Sequence, residues 1–383
     1  MRIIFIGNYA PDKQESMLRF TQFLYRGFKD AGYDCEIWQP PVVMGRSFRY
    51  TASGLAKWVG YIDKWVLFPI VLLWRLRDKA FQGPETRFHI CDHSNAPYLK
   101  YLPRDHTGIT CHDVLAIRGA LGFRDAYCPA TATGKILQRW ILSNLRKARL
   151  LAAASKLTLS QLEILSGHLG AEKRDWRIIH LGFNDDFRPM GQLERKELLT
   201  RVDVDPHIPF ILHVGSDQLR KNRKMLIDMT ASLGNSWNGM ICYAGQAADE
   251  NLLSHAESLG LRHRVISVVS PEHKTLVALY SACYAFIWPS FSEGFGWPLI
   301  EAQACGAPVI SSNLEPMPEV SNGTALHVDP TKPEQFAEAF LKLKDEKLRA
   351  ELIRRGLENC LRFKPDKMIN AYLALHGLKP KQP

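Results

Sequence analysis

The chain of 383 residues is longer than one hydrophobic core usually supports, and it predicts about two domains. Its apolar content of 46% and charged content of 23% exclude an intrinsically disordered protein. The net charge of +10 lies in the first half, where residues 1–185 carry 26 Lys/Arg against 16 Asp/Glu, while residues 186–383 carry 23 of each. A positively charged first half is suited to binding an anionic membrane leaflet or a phosphorylated substrate. Nucleic acid is not an expected partner, because no recognition-helix, zinc-finger or RNA-binding pattern is present.

The eight cysteines are scattered without a CxxC or paired spacing, which favours a reduced, cytoplasmic chain. The apolar run at residues 1–7 is too short for a signal peptide and predicts a buried first strand.

Short β-rich runs alternate with helix-length segments throughout, which predicts parallel sheets with helical crossovers. Strands are expected in the first half at 3–7, 35–38, 88–91, 108–111, 150–154 and 177–180, with helices near 16–31, 51–80, 133–149 and 157–168. Residues 184–209 contain three prolines and no sustained apolar period, which indicates a connection between domains.

A second series of strands follows, at 210–214, 240–244, 265–269, 285–288, 308–311 and 325–328. Helices are expected between them near 222–233, 248–259, 271–281, 298–305 and 333–342, and then at 345–361 and 365–377. The chain is therefore predicted to be an α/β protein with two doubly wound sheets in tandem.

Residues 58–77 form an apolar segment with basic flanks. Its uninterrupted apolar run, 65–74, has 10 residues, which is short of the roughly 20 needed to span a bilayer. Two interpretations remain open. The segment is either a core helix kinked at Pro69 or, because Trp, Tyr and Lys surround it, an interfacial helix that touches a membrane.

Two carboxylates follow the expected strand 285–288. Glu293 lies in a glycine-containing loop with Gly294 and Gly296, and Glu301 lies one turn into the next helix, which Pro298 helps to start. Open α/β sheets bind ligands at this edge, and a helix N-terminus suits a diphosphate. Because carboxylates repel phosphate, we expect them to accept hydrogen bonds from sugar and ribose hydroxyls.

A basic pair follows the expected strand 210–214. The strand leads into Gly215 and Ser216, and Arg220 and Lys221 lie at the start of the next helix. Two cations at this place can neutralise a leaving diphosphate without a metal ion.

Polar residues also follow strands of the first half. His112 and Asp113 come directly after strand 108–111, and Asp113 is expected to orient His112 or to cap the following segment. The loop after the first strand contains the polar residues Asn8 and Ser16, and Asp92 with His93 follows strand 88–91. Capping is the alternative role for Asp92 and His93.

The block 290–309 resembles the E-x7-E signature of retaining GT-B glycosyltransferases, specifically glycosyltransferase family 4, with Glu293 and Glu301 as its two acids. The resemblance implies two Rossmann-like domains facing a central cleft, with C-terminal helices crossing back. It implies an acceptor domain at 1–185, a nucleotide-sugar donor domain at 186–362 and a terminal helix at 363–383 that packs back on the first domain.

The same resemblance implies roles for single residues. Glu293 would contact hydroxyls of the transferred sugar, and Glu301 would contact the ribose. Lys221 and Arg220 would hold the phosphates. His112 would contact the sugar from the acceptor side, where the other candidates for acceptor recognition are Asn8, Ser16, Asp92 and His93. Backbone amides near the start of the helix would also bind phosphate, at Phe295, Gly296, Trp297 and Leu299. Ser216 departs from the pattern, since many members have arginine there, and this makes Lys221 more important.

The implied reaction is transfer of a hexose, mannose favoured, from a GDP- or UDP-sugar to a glycan or lipid-linked acceptor in envelope or extracellular polysaccharide synthesis. No metal ion or cofactor is expected, because the Asp-x-Asp at 203–205 lies in the connecting segment. The protein is expected to be cytoplasmic, with a possible peripheral site on an anionic membrane. A nucleotide-sugar epimerase and a non-catalytic GT-B binding subunit are the alternatives.

Overall fold

The computed structural model describes residues 1–48, 50–51, 54–167 and 174–380. Residues 52–53 of the predicted helix 51–80 and residue 168 of the predicted helix 157–168 lie outside the described residues. Contacts divide the chain into a first unit, 1–122, 129–184 and 365–383, and a second unit, 123–128 and 185–364. The domain boundaries predicted from the sequence lie at 185 and 362, and the short segment 123–128 falls in the predicted first domain.

The first unit is built on a six-stranded parallel sheet in the order β2-β1-β3-β4-β5-β6. Its strands are β1 Arg2–Ile6, β2 Asp34–Trp38, β3 Thr86–Ile90, β4 Thr107–Cys111, β5 Leu150–Ala153 and β6 Asp175–Ile178. The central strands are buried on both faces, which is why they read as continuous apolar runs rather than alternating ones. After β1 the chain adds β2 on one side of it, and the remaining strands, beginning with β3, are added on the other side.

Within the described residues of the first unit, six helices precede the second sheet. They are α1 Glu15–Asp30, α2 Gly54–Ile62, α3 Phe68–Arg75, α4 Leu115–Ala120, α5 Ala132–Leu145 and α6 Lys156–Ser166. Helix α4, with only six residues, was not predicted. Among the described residues, no helix combines the length and the apolar character that a membrane crossing requires.

The single helix expected at 51–80 is three successive pieces, because a π-helical turn at Asp63–Leu67 joins α2 to α3. Pro69 has no N–H to donate, so a regular α-helix would leave a carbonyl of the preceding turn without its partner. The wider turn adapts the backbone just before the proline, with the Phe68 N–H donating to the Asp63 carbonyl. Phe68, Pro69 and Leu72 are buried, while much of the same helix is exposed.

The second unit has a six-stranded parallel sheet in the order β12-β11-β10-β7-β8-β9. Its strands are β7 Phe210–Gly215, β8 Met240–Gly245, β9 Val265–Val269, β10 Ala285–Trp288, β11 Val309–Ser312 and β12 Leu326–Val328. The prediction of two doubly wound parallel sheets is confirmed.

Eight helices surround this sheet. They are α7 Gln192–Thr200, α8 Lys224–Leu233, α9 Glu250–Ser258, α10 His273–Ala282, α11 Trp297–Ala304, α12 Met317–Ser321, α13 Pro333–Lys342 and α14 Glu346–Cys360. The segment expected to be a plain connection contains α7. Only Leu199 of that helix is buried, so the sequence carries no apolar period that would reveal it.

The last helix, α15 Pro365–Leu375, packs in the first unit through a buried polar chain. His376 Nε2 lies 3.0 Å from His89 Nδ1, and His89 Nε2 lies 2.8 Å from Thr110 Oγ1. Thr110 Oγ1 is in turn 2.9 Å from Tyr372 Oη. These contacts fix the terminal helix to β3 and β4. Burial lowers the pKa of His376 to about 3 and that of His89 well below its usual value, which keeps both rings neutral.

This histidine pair predicts a loss of stability in mild acid. The unfolded chain takes up protons below about pH 6.5 and the folded chain does not, so stability is complete above that pH and falls as the pH approaches about 3. The loss is up to about 1.4 kcal/mol per pH unit for each histidine. Thermal unfolding of wild type and His376→Gln at pH 7 and pH 5 tests this.

We expect His376→Gln to be less stable than wild type at pH 7 but to lose less between pH 7 and 5. The exposed His207→Gln is the control and should keep the wild-type slope. Equal slopes for wild type and His376→Gln would contradict the argument.

Candidate functional site

The candidate site of the second unit lies where β7 and β10 are neighbours. The chain leaves β7 toward β8 on one side and returns to β10 on the other, so the loops after these two strands diverge and leave a crevice. Arg220 and Lys221 follow β7, and Glu293 follows β10. The sheet order therefore brings together two predicted pieces that are more than 70 residues apart.

Backbone features hold the β7 loop against the β10 loop. A short 3-10 turn, Leu219–Lys221, ends at Asn222 in the left-handed conformation, with φ of 50°. The Asn222 side chain donates to the carbonyls of Pro289, at 3.1 Å, and Pro330, at 2.8 Å. The Phe291 N–H donates to the Arg220 carbonyl at 2.8 Å. Asparagine tolerates this conformation better than most residues, which explains its place in the turn.

Glu293 is the centre of the cluster and is only 6% exposed. Lys221 Nζ donates to Oε1 at 2.7 Å, and Arg220 Nη1 donates to Oε2 at 2.5 Å. Burial alone would raise the pKa of Glu293, but the Lys221 and Arg220 charges outweigh it and lower the pKa. The carboxylate stays ionised, and the three groups together carry one net positive charge.

The loop after β10 enters α11 through Gly296, whose φ of 103° is unfavourable for any other residue. Phe295 is buried against Phe363, with ring centroids 5.6 Å apart, while Trp297 is half-buried. The Leu299 N–H donates to the Gly296 carbonyl at 3.1 Å, so this amide already has a partner inside the turn. The predicted phosphate contacts at 295–299 stay predictions.

Glu301 lies one turn into α11, as expected, and is half-buried. Its Oε2 accepts a hydrogen bond of 2.9 Å from the Tyr280 hydroxyl on α10. Burial and then the Glu301 charge raise the pKa of Tyr280, which keeps the hydroxyl protonated as a donor. Tyr280 therefore orients this carboxylate, a role that sequence reasoning missed.

Three further aromatic residues support the cluster and were not predicted. Lys221 Nζ lies 4.4 Å from the centre of the Trp288 ring, and this cation–π contact stabilises the ammonium group. His213 stacks on Trp288 at 5.3 Å, and burial lowers its pKa to about 3, so it adds no charge. Tyr127, from the segment 123–128, stacks on Phe291 at 4.9 Å. No local pattern could reveal Tyr127, since its partner lies 164 residues later in the chain.

Gly215 ends β7 with φ of 153°, and Ser216 follows it, half-buried. No side chain larger than hydrogen stands at Gly215, where a Cβ would lie 3.6 Å from His213 Nε2 and 3.7 Å from Lys221 Cε. These are ordinary contact distances, so the backbone angle rather than a lack of space is what favours glycine here.

The first unit has a matching arrangement where β1 and β3 are neighbours. Asn8 follows β1 and donates through Nδ2 to Asp92 Oδ2, after β3, at 2.7 Å. Asn95 donates to Asn8 Oδ1 at 3.0 Å, and His93 Nδ1 lies 3.3 Å from Asp92 Oδ1. Asp92 also accepts from the Ser94 N–H, so it caps the short helix that follows as well as facing Asn8. Predicted acceptor-side residues 8, 92 and 93 are thus brought together.

Ser16 is not part of this group. It is exposed in the first turn of α1 and does not line the neighbouring cavity. That cavity has a volume of about 250 Å³, equivalent to about eight water molecules. Its walls include Asn8, Asp12, Gln14, Tyr61, Lys64 and Trp65. Within the described part of the chain, Trp65 Nε1 is buried without a hydrogen-bond partner, which leaves a donor at the wall.

His112 directly follows β4 and is 7% exposed. Its Nε2 lies 2.9 Å from the Cys91 carbonyl and must donate to it, so Nδ1 is the acceptor nitrogen. The ring packs edge-on against Phe20 at 4.6 Å, and burial lowers the pKa of His112. Asp113 Oδ1 accepts from the Leu115 N–H at 2.9 Å, so Asp113 satisfies the first N–H of α4 from a position before the N-cap residue, Val114.

The described residues contain no group of three or more His, Cys, Asp or Glu arranged to hold a metal ion. In the Asp-x-Asp at 203–205, Asp205 Oδ1 accepts from the His207 N–H and closes a local turn.

The Glu293 cluster predicts a measurable cost for removing one cation. Lys221→Met leaves the buried carboxylate with Arg220 alone, and we expect a loss of about 3 kcal/mol in the free energy of unfolding. The control is Lys224→Met, which removes a more exposed lysine paired with Asp228 at 2.7 Å and should cost less than about 1 kcal/mol. Urea unfolding at pH 7.5 measures both, and equal losses would show that the buried pair is no stronger than the surface pair.

Comparison with known proteins agrees with this geometry. The family described as glycosyl transferases group 1 matches residues 195–359, which include the whole Glu293 cluster. The chain is 30% identical over 206 residues to O-antigen chain mannosyltransferase B of Escherichia coli, covering 51% of this chain and 53% of that protein. It is 29% identical over 247 residues to a D-inositol 3-phosphate glycosyltransferase of Acidothermus cellulolyticus, covering 60% and 54%. The matches thus span about half the length of these relatives.

Solved structures share the fold over nearly the whole chain. Sucrose-phosphate synthase from Thermosynechococcus elongatus superposes with a TM-score of 0.72 at 19% identity and covers 98% of both chains. Anabaena HepE in complex with UDP and glucose gives a TM-score of 0.69 at 16% identity, again over 98% of both. Residues 195–359 therefore match the glycosyl transferases group 1 family, and the chain has the GT-B fold of these solved structures.

Proposed function

We propose that the protein is a retaining, metal-independent glycosyltransferase that moves a hexose from a nucleotide diphosphate sugar to a glycan or lipid-linked acceptor. The observation that carries the proposal is the buried Glu293 carboxylate held between Arg220 and Lys221 where β7 and β10 meet. Phosphate needs the cations and a sugar needs the carboxylate, and the cluster offers both within one crevice.

The leaving diphosphate would be neutralised by Lys221 and Arg220. The cluster has two cations for one carboxylate, so it attracts an anion even while Glu293 is ionised. Charge that develops on the diphosphate as the glycosidic bond breaks is stabilised by these fixed groups, which is the contribution a divalent metal would otherwise make. Gly296 at the start of α11 would let the backbone approach the same phosphates.

The carboxylates would position the donor rather than attack it. Glu293 would accept hydrogen bonds from hydroxyls of the transferred sugar, and Glu301, oriented by Tyr280, would accept them from the ribose. On the acceptor side, Nδ1 of the neutral His112 is an acceptor for a sugar hydroxyl. In a same-face substitution the departing diphosphate takes the acceptor proton, and the anomeric configuration is retained.

We infer a mannose-type donor, and GDP-mannose is its first candidate. The support is the likeness to the mannosyltransferase of Escherichia coli named above, whereas the solved HepE complex contains UDP and glucose. An O-antigen enzyme among the relatives also supports a role in envelope or extracellular polysaccharide synthesis. The eight cysteines, six of which are buried, have no paired spacing and suit a cytoplasmic site of action, and a lipid-linked acceptor would place that action at the membrane surface.

The donor is tested with GDP-, UDP-, ADP- and dTDP-sugars in the presence of EDTA. We expect one nucleotide sugar to raise the melting temperature and to be hydrolysed slowly, with release of its nucleoside diphosphate. Lys221→Ala should lower kcat/KM by about 10²–10³-fold, because it removes a charge that acts on the leaving group. Glu293→Gln should weaken sugar-specific binding while nucleoside diphosphate alone still binds.

Lys224→Ala is the matched control, since it removes the same charge from the exposed face of α8, and it should behave as wild type. NMR of the product must show the donor's anomeric configuration. Inversion would refute retention, and activity abolished by EDTA would refute metal independence. Conversion of the sugar without diphosphate release would favour an epimerase, and no nucleotide sugar binding at all would favour a binding subunit.

A further inference from the structure

One face of the helix 54–75 exposes a continuous apolar stripe. Seven large residues lie on it, each between 40% and 82% exposed: Leu55, Trp58, Ile62, Val66, Ile70, Leu73 and Trp74. A spacing of four residues drifts by about 40° per step around a regular α-helix. The π-helical turn at Asp63–Leu67 holds more residues per turn, so 58, 62, 66 and 70 stay in line.

The opposite face of the same helix already packs in the core. Phe68 and Leu72 are buried among residues of the first sheet, with Trp65 and Val71 packed against them. The protein interior therefore accounts for only one apolar face. A second apolar face of this length is typical of an interaction surface rather than of scattered surface residues.

The loop before the helix extends the apolar surface. Val42, Val43, Met44 and Phe48 are 40% to 56% exposed. The loop is fixed to the helix by Asp63, whose buried carboxylate accepts from the Val43, Met44 and Gly45 N–H groups and from the Tyr9 hydroxyl. These hydrogen bonds keep the pKa of Asp63 below its usual value even though burial opposes ionisation. Loop residues 42–48 and helix residues 54–74 thus form one surface joined by Asp63, and these two ranges together are called here the 42–74 face.

Positive charge surrounds the 42–74 face. Residues 41–80 hold seven Lys/Arg and two Asp/Glu, and one of the two acids is the buried Asp63. Arg46, Arg77 and Lys79 are exposed at its ends, and the exposed Asp78 offsets one of these charges. An apolar stripe with aromatic residues and basic ends is the pattern of helices that lie in the headgroup region of an anionic bilayer.

We propose that the 42–74 face docks in the plane of an anionic membrane, with the stripe among the acyl chains and the basic residues at the phosphates. A second copy of the chain fits this face less well, because a symmetric dimer would bring the ends of the face, each of net positive charge, together.

The docking also explains the place of the cavity of the first unit. Lys57, Tyr61, Lys64 and Trp65 belong to the same helix and line that cavity. A membrane on the stripe would put the cavity beside the lipid headgroups, where the polar head of a lipid-linked acceptor is found. This last step rests on the proposed function, whereas the docking does not.

Cosedimentation with vesicles tests the docking. The wild type is compared on phosphatidylcholine vesicles and on phosphatidylcholine vesicles with added phosphatidylglycerol, at low and high salt. We expect binding to the anionic vesicles only, weakened by salt. Val66→Asp/Ile70→Asp, on the stripe, should lose binding, and Arg77→Glu/Lys79→Glu should weaken it about tenfold or more.

Ile136→Asp/Ile164→Asp is the matched control, since these residues are 68% and 72% exposed on α5 and α6 of the same unit. It should bind as wild type. Circular dichroism checks folding, and nucleoside diphosphate release without vesicles checks the donor site separately. Absent wild-type binding, or equal binding by the stripe variant, overturns the proposal. A wild-type dimer that the stripe variant makes monomeric, with no vesicle binding, assigns the face to a second copy.

Discussion

The pairing of Glu293 with Lys221 and Arg220 is the constraint on which the second unit depends. A carboxylate that is 6% exposed is costly unless cations compensate it, and both cations come from a loop that precedes it by more than 70 residues. Only a sheet in which β7 and β10 are neighbours brings them within 3 Å. The left-handed Asn222 and the stacked Trp288 then follow as requirements for holding the lysine at this carboxylate.

The same topological position serves a different chemistry in each unit. Where β1 and β3 meet, an amide and a carboxylate, Asn8 and Asp92, share hydrogen bonds. Where β10 and β7 meet, a carboxylate shares two cations. Amides and carboxylates bind hydroxyl-rich ligands, while paired cations bind phosphate. The switch point of each sheet thus presents different polar groups, because the residues that follow its two neighbouring strands differ between the units.

The sequence predicted the strands and the Glu293, Lys221 and Asn8 positions because their signals are local: apolar runs, glycine turns and charged residues at strand ends. It did not predict α7, because Leu199 is the single buried residue of that helix. It did not predict the role of Asp63 either, because this residue lies in an apolar segment and its partners are N–H groups of residues 43–45. The stacking of Tyr127 on Phe291 could not be predicted either, because it depends on the tertiary fold and not on the sequence around either residue. Long-range packing is what local patterns omit.

The distribution of charge separates ligand recognition from surface recognition. The second half is neutral overall, yet its Glu293 cluster is locally positive, as a phosphate ligand requires. The first half carries the whole excess of +10, yet its cavity contributes only one unit of it, since Lys64 pairs with Asp12 at 2.6 Å and leaves Lys57 as the other charged lining residue. Its excess includes the exposed basic residues at the ends of the 42–74 face. Net charge summed over a domain therefore describes what its surface meets, and the charge of a single pocket must be counted from the groups that line it.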